Sequence, residues 1–368
     1  MTPHSPPTRV HVALAERAYD IEIGPGLLAH AGAFFASRLP IGHVVVITDQ
    51  NVEKTHARAV LESLDAAGAR VDLIVLEPGE ETKSVSDAEQ LWQILLESGA
   101  DRRTVVAAVG GGVVGDLAGF VAATYARGLD FMQIPTTLLA QVDSSVGGKV
   151  GVNLPGAKNM IGAFWQPRGV LIDTETIHTL PAREYRAGLA EVVKYGVILD
   201  AEFFAYLEDH LGSLRDRRPE VLRHIITRSC QMKAGVVTAD ERETTGLRAI
   251  LNYGHTFCHA LEAVTSYGRF LHGEAVAIGM HAAARLAHRL GRVDAPFVAR
   301  QAALLQALEL PILTPPDLDR QALVEAMARD KKSVQGKLRF ILPSQLGHVE
   351  LVDGIDANQA RQAFDDLP

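Results

Sequence analysis

The feature that most constrains this chain is a change of hydrophobic period near residue 175. Before it, short apolar runs alternate with segments of helical spacing. HVVVITD (43–49) is apolar up to a polar end, as a buried strand is, and NVEKTHARAVLESLDAAG follows with helical spacing and a closing glycine. VDLIVLEPGE and TVVAAVGGG read as further strands, and SVSDAEQLWQILLESG between them as a helix opened by Ser and closed by Gly. RVHVALAERAYDIEIG, near the start, reads as two alternating strands around a short turn. Such alternation implies a parallel sheet with helices on its faces, because parallel strands need a long crossover between them. Beyond residue 175 helical periodicity dominates, over 182–210, 218–237, 253–266, 273–291, 295–309 and 319–331, and only KLRFILP near the end reads as a short strand. The expectation is an α/β domain over 1–178 and a mainly α-helical domain over 179–368.

Composition narrows the class of partner. The 368 residues carry a net charge of -8, which disfavours polyanions and so nucleic acid. Two cysteines, Cys230 and Cys258, suggest no disulfide framework and fit a reducing compartment. The first residues hold no apolar run, and no apolar stretch approaches a membrane span. A soluble cytoplasmic protein is expected.

Gly110-Gly111-Gly112-Val113-Val114-Gly115 satisfies G-x-G-x-x-G between the strand TVVAAV and the helical segment DLAGFVAATYA. Backbone amides at a helix start approach a pyrophosphate only where no side chain intervenes, so this context points to a nucleotide. A plain tight turn is the competing reading. The motif follows the third strand of the alternating series rather than the first, and no acidic residue ends a strand about twenty residues on. Asp49, at the end of HVVVITD, is the better candidate for the ribose hydroxyls, with a cap or turn role as its alternative.

The second half is rich in possible metal ligands. Glu191 lies in GLAEVVKYG, His255 and His259 share a helix face in NYGHTFCHALE, and His272 precedes the next long helix. One Glu and two His from separate segments suit a catalytic zinc with room left for substrate. Spacing alone leaves His255 and His259 as alternatives, and Glu262 and Glu274 as competitors of Glu191. There is no H-E-x-x-H. Of Lys149, Lys158, Lys194, Lys233, Arg248, Lys331 and Lys332, several sit beside apolar or Gly-rich residues, and such groups clamp phosphates and carboxylates. SVGGKVG lacks the leading glycine and closing Ser/Thr of a P-loop.

Together PGEETKS (78–84), GGGVVGDLAGF (110–120), QIPTTLLAQVDSSVGGKVGVN (133–153), GAKNMIGAFWQP (156–167), GLAEVVKYG (188–196), MKAGVVTADERETTGLRAILNYGHTFCHALE (232–262), LHGEAVAIGM (271–280) and DKK (330–332) resemble the 3-dehydroquinate synthase family of sugar-phosphate cyclases. The resemblance implies a Rossmann-like NAD-binding domain, a helical metal-binding domain, a cleft between them and a homodimer. It implies Glu191, His255 and His272 as ligands of zinc or cobalt, with His259 a catalytic polar residue. NAD contacts would fall on Asp49, Gly79, Glu80, Lys83, Gly112, Val113, Val114, Gly115, Asp116, Thr136, Thr137, Asp143, Lys149, Lys158, Thr176 and Thr179. Phosphate would meet Lys149, Asn159, Lys194 and His259, with Arg127 reaching across from a partner subunit. The substrate carboxylate would meet Lys233, Arg248 and Lys331 or Lys332, with Asn252 orienting the reacting hydroxyls. The implied activity is a phosphate-eliminating cyclisation of a seven-carbon phosphorylated sugar acid in aromatic amino acid biosynthesis. Another sugar-phosphate cyclase and a metal-dependent polyol dehydrogenase are the alternatives. One departure stands out: Cys258 occupies a usual Gly position beside His259, which raises sensitivity to thiol reagents as an expectation.

Overall fold

The computed structural model describes residues 6–329 and 338–364. Two compact units emerge, one of Met1–Leu180 with Leu222–Arg242, the other of Pro181–Val221 with Glu243–Pro368. The first therefore takes a segment from beyond the expected boundary at 178.

The first unit contains β1 (Thr8–Val12), β2 (Tyr19–Gly24), α1 (Ala31–Ala36), β3 (His43–Asp49), α2 (Arg58–Ala66), β4 (Arg70–Leu76), α3 (Val85–Glu97), β5 (Val105–Gly110), α4 (Gly112–Thr124), β6 (Asp130–Pro135), β7 (Lys149–Leu154), β8 (Ala157–Phe164) and β9 (Gly169–Asp173). Seven strands form one sheet in the order β1-β2-β9-β6-β5-β3-β4. β1 and β2 pair antiparallel, and every other pair in it is parallel. The pleat sends alternate residues of β3 to opposite faces. Val45 and Ile47 pack with α3 and α4 residues such as Leu91 and Leu117. Val44 and Val46 pack with α1 and α2 residues such as Phe35 and Leu64. β5 is buried along its whole length.

β4 lies on one side of β3 and β5 on the other, so the winding direction reverses between β3 and β5. Thr48 pairs with Val109, which places Asp49 beside the start of the glycine turn. The carboxyl ends of strands at such a reversal form the usual crevice for a ligand in an open α/β sheet. The Gly-rich polar stretch around Lys149 is an antiparallel hairpin of β7 and β8, from Lys149↔Phe164 to Leu154↔Ala157. Most of the segment Leu222–Arg242 belongs to the helix α8, described below, and is tied into this unit. Arg223 donates to Thr8 Oγ1 at 3.0 Å, the Cys230 thiol to the Gln141 carbonyl at 3.2 Å, and Lys233 to the Asp143 carbonyl at 2.7 Å.

Mainly helical, as expected, the chain after residue 180 comprises α5 (Ala182–Leu199), α6 (Ala201–Asp209), α7 (Leu211–Arg215), α8 (Pro219–Ala239, most of it in the first unit), α9 (His255–Val264), α10 (His272–Arg289), α11 (Ala295–Ala307), α12 (Arg320–Arg329), a hairpin of β10 (Leu338–Gln345) and β11 (His348–Ile355), and α13 (Ala357–Ala363). The periodic run 182–210 is two helices. Asp200 ends α5 in extended backbone, and its carboxylate accepts the Phe203 N–H at 2.9 Å to cap α6. Phe257 of α9 meets Phe340 and Phe364 at centroid distances of 4.9 and 5.0 Å. Buried Tyr253 donates to Gln301 at 2.8 Å, and Gln301 donates to the Met280 carbonyl at 3.0 Å, which satisfies the polar atoms of this core. At Gly273 a Cβ would stand 1.8 Å from the Ala187 carbonyl, so only glycine lets the first turn of α10 approach α5.

Candidate functional site

The first unit assembles polar groups at the carboxyl ends of β3 and β5. α4 begins at Gly112 with no capping side chain, which leaves the amides of its first turn, Gly112, Val113 and Val114, open to an anion. The turn is sterically confined: a Cβ on Gly111 would lie 3.1 Å from Thr137, and one on Gly112 3.1 Å from Ser144 Oγ. Gly115 donates to the Gly111 carbonyl at 3.1 Å, the first bond of the helix. No acidic residue lies in the first turn to repel a phosphate.

One turn further on, Asp116 meets the Lys83 ammonium at 2.8 Å, and Glu80 stands 3.5 Å from the same ammonium. Burial opposes the charge on Lys83, but Asp116 and then Glu80 outweigh it and raise its pKa. Glu80 accepts from Asn153 at 2.8 Å and lies 3.8 Å from Lys158. The PGEETK turn is thereby fastened to α4 and to the β7–β8 hairpin. Gly79 opens it with φ 122, a conformation that glycine takes without strain.

Asp49 accepts the Asn51 N–H at 2.8 Å, so it does form a turn cap, while burial, the larger influence, pushes its carboxyl pKa up. Thr176 donates to the Asp173 carbonyl at 2.8 Å, and Thr179 to the Thr176 carbonyl at 2.9 Å. His56 contacts the Thr179 hydroxyl at 2.7 Å, a pairing across 123 residues that no sequence spacing announces. Thr137 caps the segment after β6 by accepting the Ala140 N–H at 3.2 Å. The buried Thr136 hydroxyl has no hydrogen-bond partner among the described residues. Asp143 and Lys233 form an ion pair at 2.9 Å. Asn159 has φ 54, and its backbone N–H donates to the Asn153 side-chain oxygen at 2.8 Å. Ala126, Arg127 and Gly128 have φ of 48, 68 and 121 in succession, a strained turn that displays the Arg127 side chain.

The second unit brings three of the candidate ligands together. Glu191, His255 and His272 present donor atoms within 4.8 Å of one another. Glu191 Oε1 is 3.6 Å from His255 Nε2 and 3.7 Å from His272 Nε2. Those distances are too long for hydrogen bonds. Donors about 2.1 Å from one tetrahedral centre are about 3.4 Å apart, so they are the spacings a shared cation needs. The Glu191 side chain is 1% exposed, and among the described residues neither carboxylate oxygen makes a hydrogen bond of good geometry, although the Lys194 ammonium pairs with Oε2. A carboxylate so placed needs cationic compensation. His255 Nδ1 stands 3.1 Å from the Tyr253 carbonyl, which fixes the proton there and turns the Nε2 lone pair toward Glu191. Burial, then the charges of Lys194, His272 and His259, push the His255 pKa well down, so the ring is neutral as ligation requires.

The alternatives left open by spacing part company here. His259 meets His255 edge-on, with ring centroids 5.6 Å apart, but stands outside the three-donor group. Glu274 pairs with Arg183 at 2.7 and 2.8 Å and accepts the Leu271 N–H at 2.9 Å, so it caps α10. Glu262 contacts His272 Nδ1 at 3.2 Å. Buried Arg248 stands 3.6 Å from Glu243. Asn252 ends the short turn Leu247–Asn252 that leads into Tyr253 and His255. Lys331 and Lys332 lie outside the described residues.

A glycine turn at the switch of a parallel sheet, with a buried carboxylate and two imidazoles in a helical unit, suits an enzyme that uses a nucleotide together with a metal. Solved structures agree. The chain is similar to a 2-deoxy-scyllo-inosose synthase complexed with carbaglucose-6-phosphate, NAD+ and Co2+ (28% identity, TM-score 0.88, covering 97% of this chain and 99% of that one). It is also similar to 2-epi-5-epi-valiolone synthase from Streptomyces hygroscopicus with NAD+ and Zn2+ bound (29% identity, TM-score 0.87, covering 95% and 97%). Residues 73–187 match the 3-dehydroquinate synthase N-terminal family and residues 188–333 the 3-dehydroquinate synthase C-terminal family. A 3-dehydroquinate synthase from Rhodopirellula baltica is 51% identical over 361 residues, covering 96% of each chain. The chain belongs to the 3-dehydroquinate synthase family.

Proposed function

We propose that this chain converts 3-deoxy-D-arabino-heptulosonate 7-phosphate to 3-dehydroquinate and phosphate, a lyase step in chorismate and aromatic amino acid biosynthesis. The observation that supports it most is the buried Glu191 carboxylate, set at ligand spacing from two imidazoles in a chain of this family. Glu191, His255 and His272 hold zinc or cobalt. Asp49, the Gly79 to Lys83 turn, Gly112 to Asp116, Thr136, Thr137, Asp143, Lys149, Lys158, Thr176 and Thr179 hold NAD. When bound, the dinucleotide supplies a reversible hydride acceptor and the metal a Lewis acid for the vicinal hydroxyls.

The protein's own part is to bind and orient anions. Lys149, Asn159, Lys194 and His259 receive the phosphate, and Arg127 of a second subunit completes the set in a homodimer. Lysine charge and a histidine hydrogen bond stabilise phosphate as it leaves. Lys233 and Arg248 receive the substrate carboxylate, with a lysine of the 330–332 run. Both described cations are buried and already face carboxylates, so exchanging one carboxylate for another leaves no buried charge alone. Asn252 orients the hydroxyls. Among the described residues no helix is long and apolar enough to cross a membrane.

Purified protein loaded with zinc, given the heptulosonate phosphate and sub-stoichiometric NAD, should release many phosphates per NAD and form 3-dehydroquinate. Chelation should abolish release, and Zn2+ or Co2+ should restore it. Absence of phosphate from the metal-loaded protein would remove this assignment. Turnover of a sugar phosphate lacking a carboxylate would favour a sister cyclase, and net reduction of NAD by a polyol a dehydrogenase.

A further inference from the structure

His272 turns its two ring nitrogens to different partners. Nε2 faces Glu191 Oε1 at 3.7 Å, and Nδ1 stands 3.2 Å from Glu262 Oε1. Glu262 is 4% exposed and lies on α9, one helical turn beyond Cys258. The Cys258 sulfur is accordingly 3.8 Å from the same Nδ1 and 3.9 Å from the His272 carbonyl. A neutral imidazole has one N–H and one lone pair, and an ionised carboxylate accepts only. Glu262 therefore holds the proton on Nδ1 and leaves the lone pair on Nε2, pointed at Glu191 and His255. A thiol is too weak an acceptor to take over that task. For His255 the same task falls to the Tyr253 backbone carbonyl, which no side-chain substitution removes.

We propose that Glu262 is a positioning residue of the metal centre, selecting the His272 tautomer and fixing its ring, and is not itself a ligand. The inference rests on the reading of Glu191, His255 and His272 as metal ligands. Its competitor is visible in the same geometry: Cys258, Glu262 and His272 Nδ1 also come within 4.8 Å of one another and would form a soft cation site of their own. That site needs the lone pair on Nδ1, so the two arrangements require opposite tautomers.

The test uses the full-length protein and three readouts. Co2+ affinity, measured by competition with a chelator, should fall by about 10–100-fold in Glu262→Leu. Its visible ligand-field spectrum should change as well. Glu262→Gln, whose amide oxygen still accepts from Nδ1, should stay near the unaltered protein in both. Nitrogen NMR of the zinc-loaded, unaltered protein should show a protonated, pyrrole-type Nδ1 at His272, a result independent of whether any variant folds. Equal affinity in Glu262→Leu, or a pyridine-type Nδ1, would overturn the proposal. So would a thiolate-to-metal charge-transfer band on adding Cd2+ that disappears in Cys258→Ser. Should Glu191→Gln bind Co2+ as tightly as the unaltered protein, the ligand reading itself fails, a result separable from failure of the Glu262 role alone.

Discussion

Lys83 shows how one buried charge is held in place by its neighbours. Its side chain is 5% exposed, and it meets Asp116 at 2.8 Å with Glu80 behind. Removing the ammonium in Lys83→Met leaves the Asp116 carboxylate uncompensated, so stability measured by urea unfolding at pH 7 should drop by about 3 kcal/mol. The pH dependence has a definite sign. The folded pKa of Lys83 lies above the unfolded value of about 10.4. Its contribution is thus fully present below about pH 10 and is lost as pH rises through the folded value. The variant should lack that alkaline loss. Cys258 belongs to the same scale. It is fully buried, so thiol reagents should modify it only as fast as the fold opens, and protection by bound metal checks this.

At the scale of elements, close approach matters more than helix propensity. Gly273, at the start of α10, faces the Ala187 carbonyl of α5, where an added Cβ would stand 1.8 Å away. Gly273→Ala must push the two helices apart. It should destabilise the chain by about 1–3 kcal/mol and weaken metal binding, since His272 is the adjacent residue. Gly235, exposed in α8 with nothing within 4 Å of its would-be Cβ, is the control. There alanine should raise stability by up to about 1 kcal/mol. Paired thermal melts separate the two cases. Helical spacing located α9, α10 and α11 well because their buried faces repeat every turn. The β7–β8 hairpin and β11 were illegible, because their partners are supplied by register. β11 pairs with β10 from Leu338↔Ile355 to Gln345↔His348, yet most of its residues are exposed and give no strong alternation.

For the whole molecule, the decisive fact is that the first unit is discontinuous. Leu222–Arg242 counts with Met1–Leu180, and it reaches Thr8, Gln141, Asp143 and, through Glu241, Arg17 at 2.7 Å. A fragment ending at Leu180 should therefore lack a cooperative unfolding transition, or show one at much lower denaturant than the full chain. A cooperative transition of full stability in that fragment would contradict the partition. By itself the sequence determined the parallel sheet, the helical remainder, the glycine turn and the inventory of ligands and cations, because these follow from local period and residue chemistry. Tertiary structure alone decided that β5 returns beside β3 to bring Asp49 next to the glycine turn. It also placed His255 and not His259 with Glu191 and His272, and gave Glu262 to His272 and Glu274 to Arg183. The reason is geometric. Spacing along a helix selects a face, but a ligand set is made of distances between atoms on different elements, and those are set only when the elements pack.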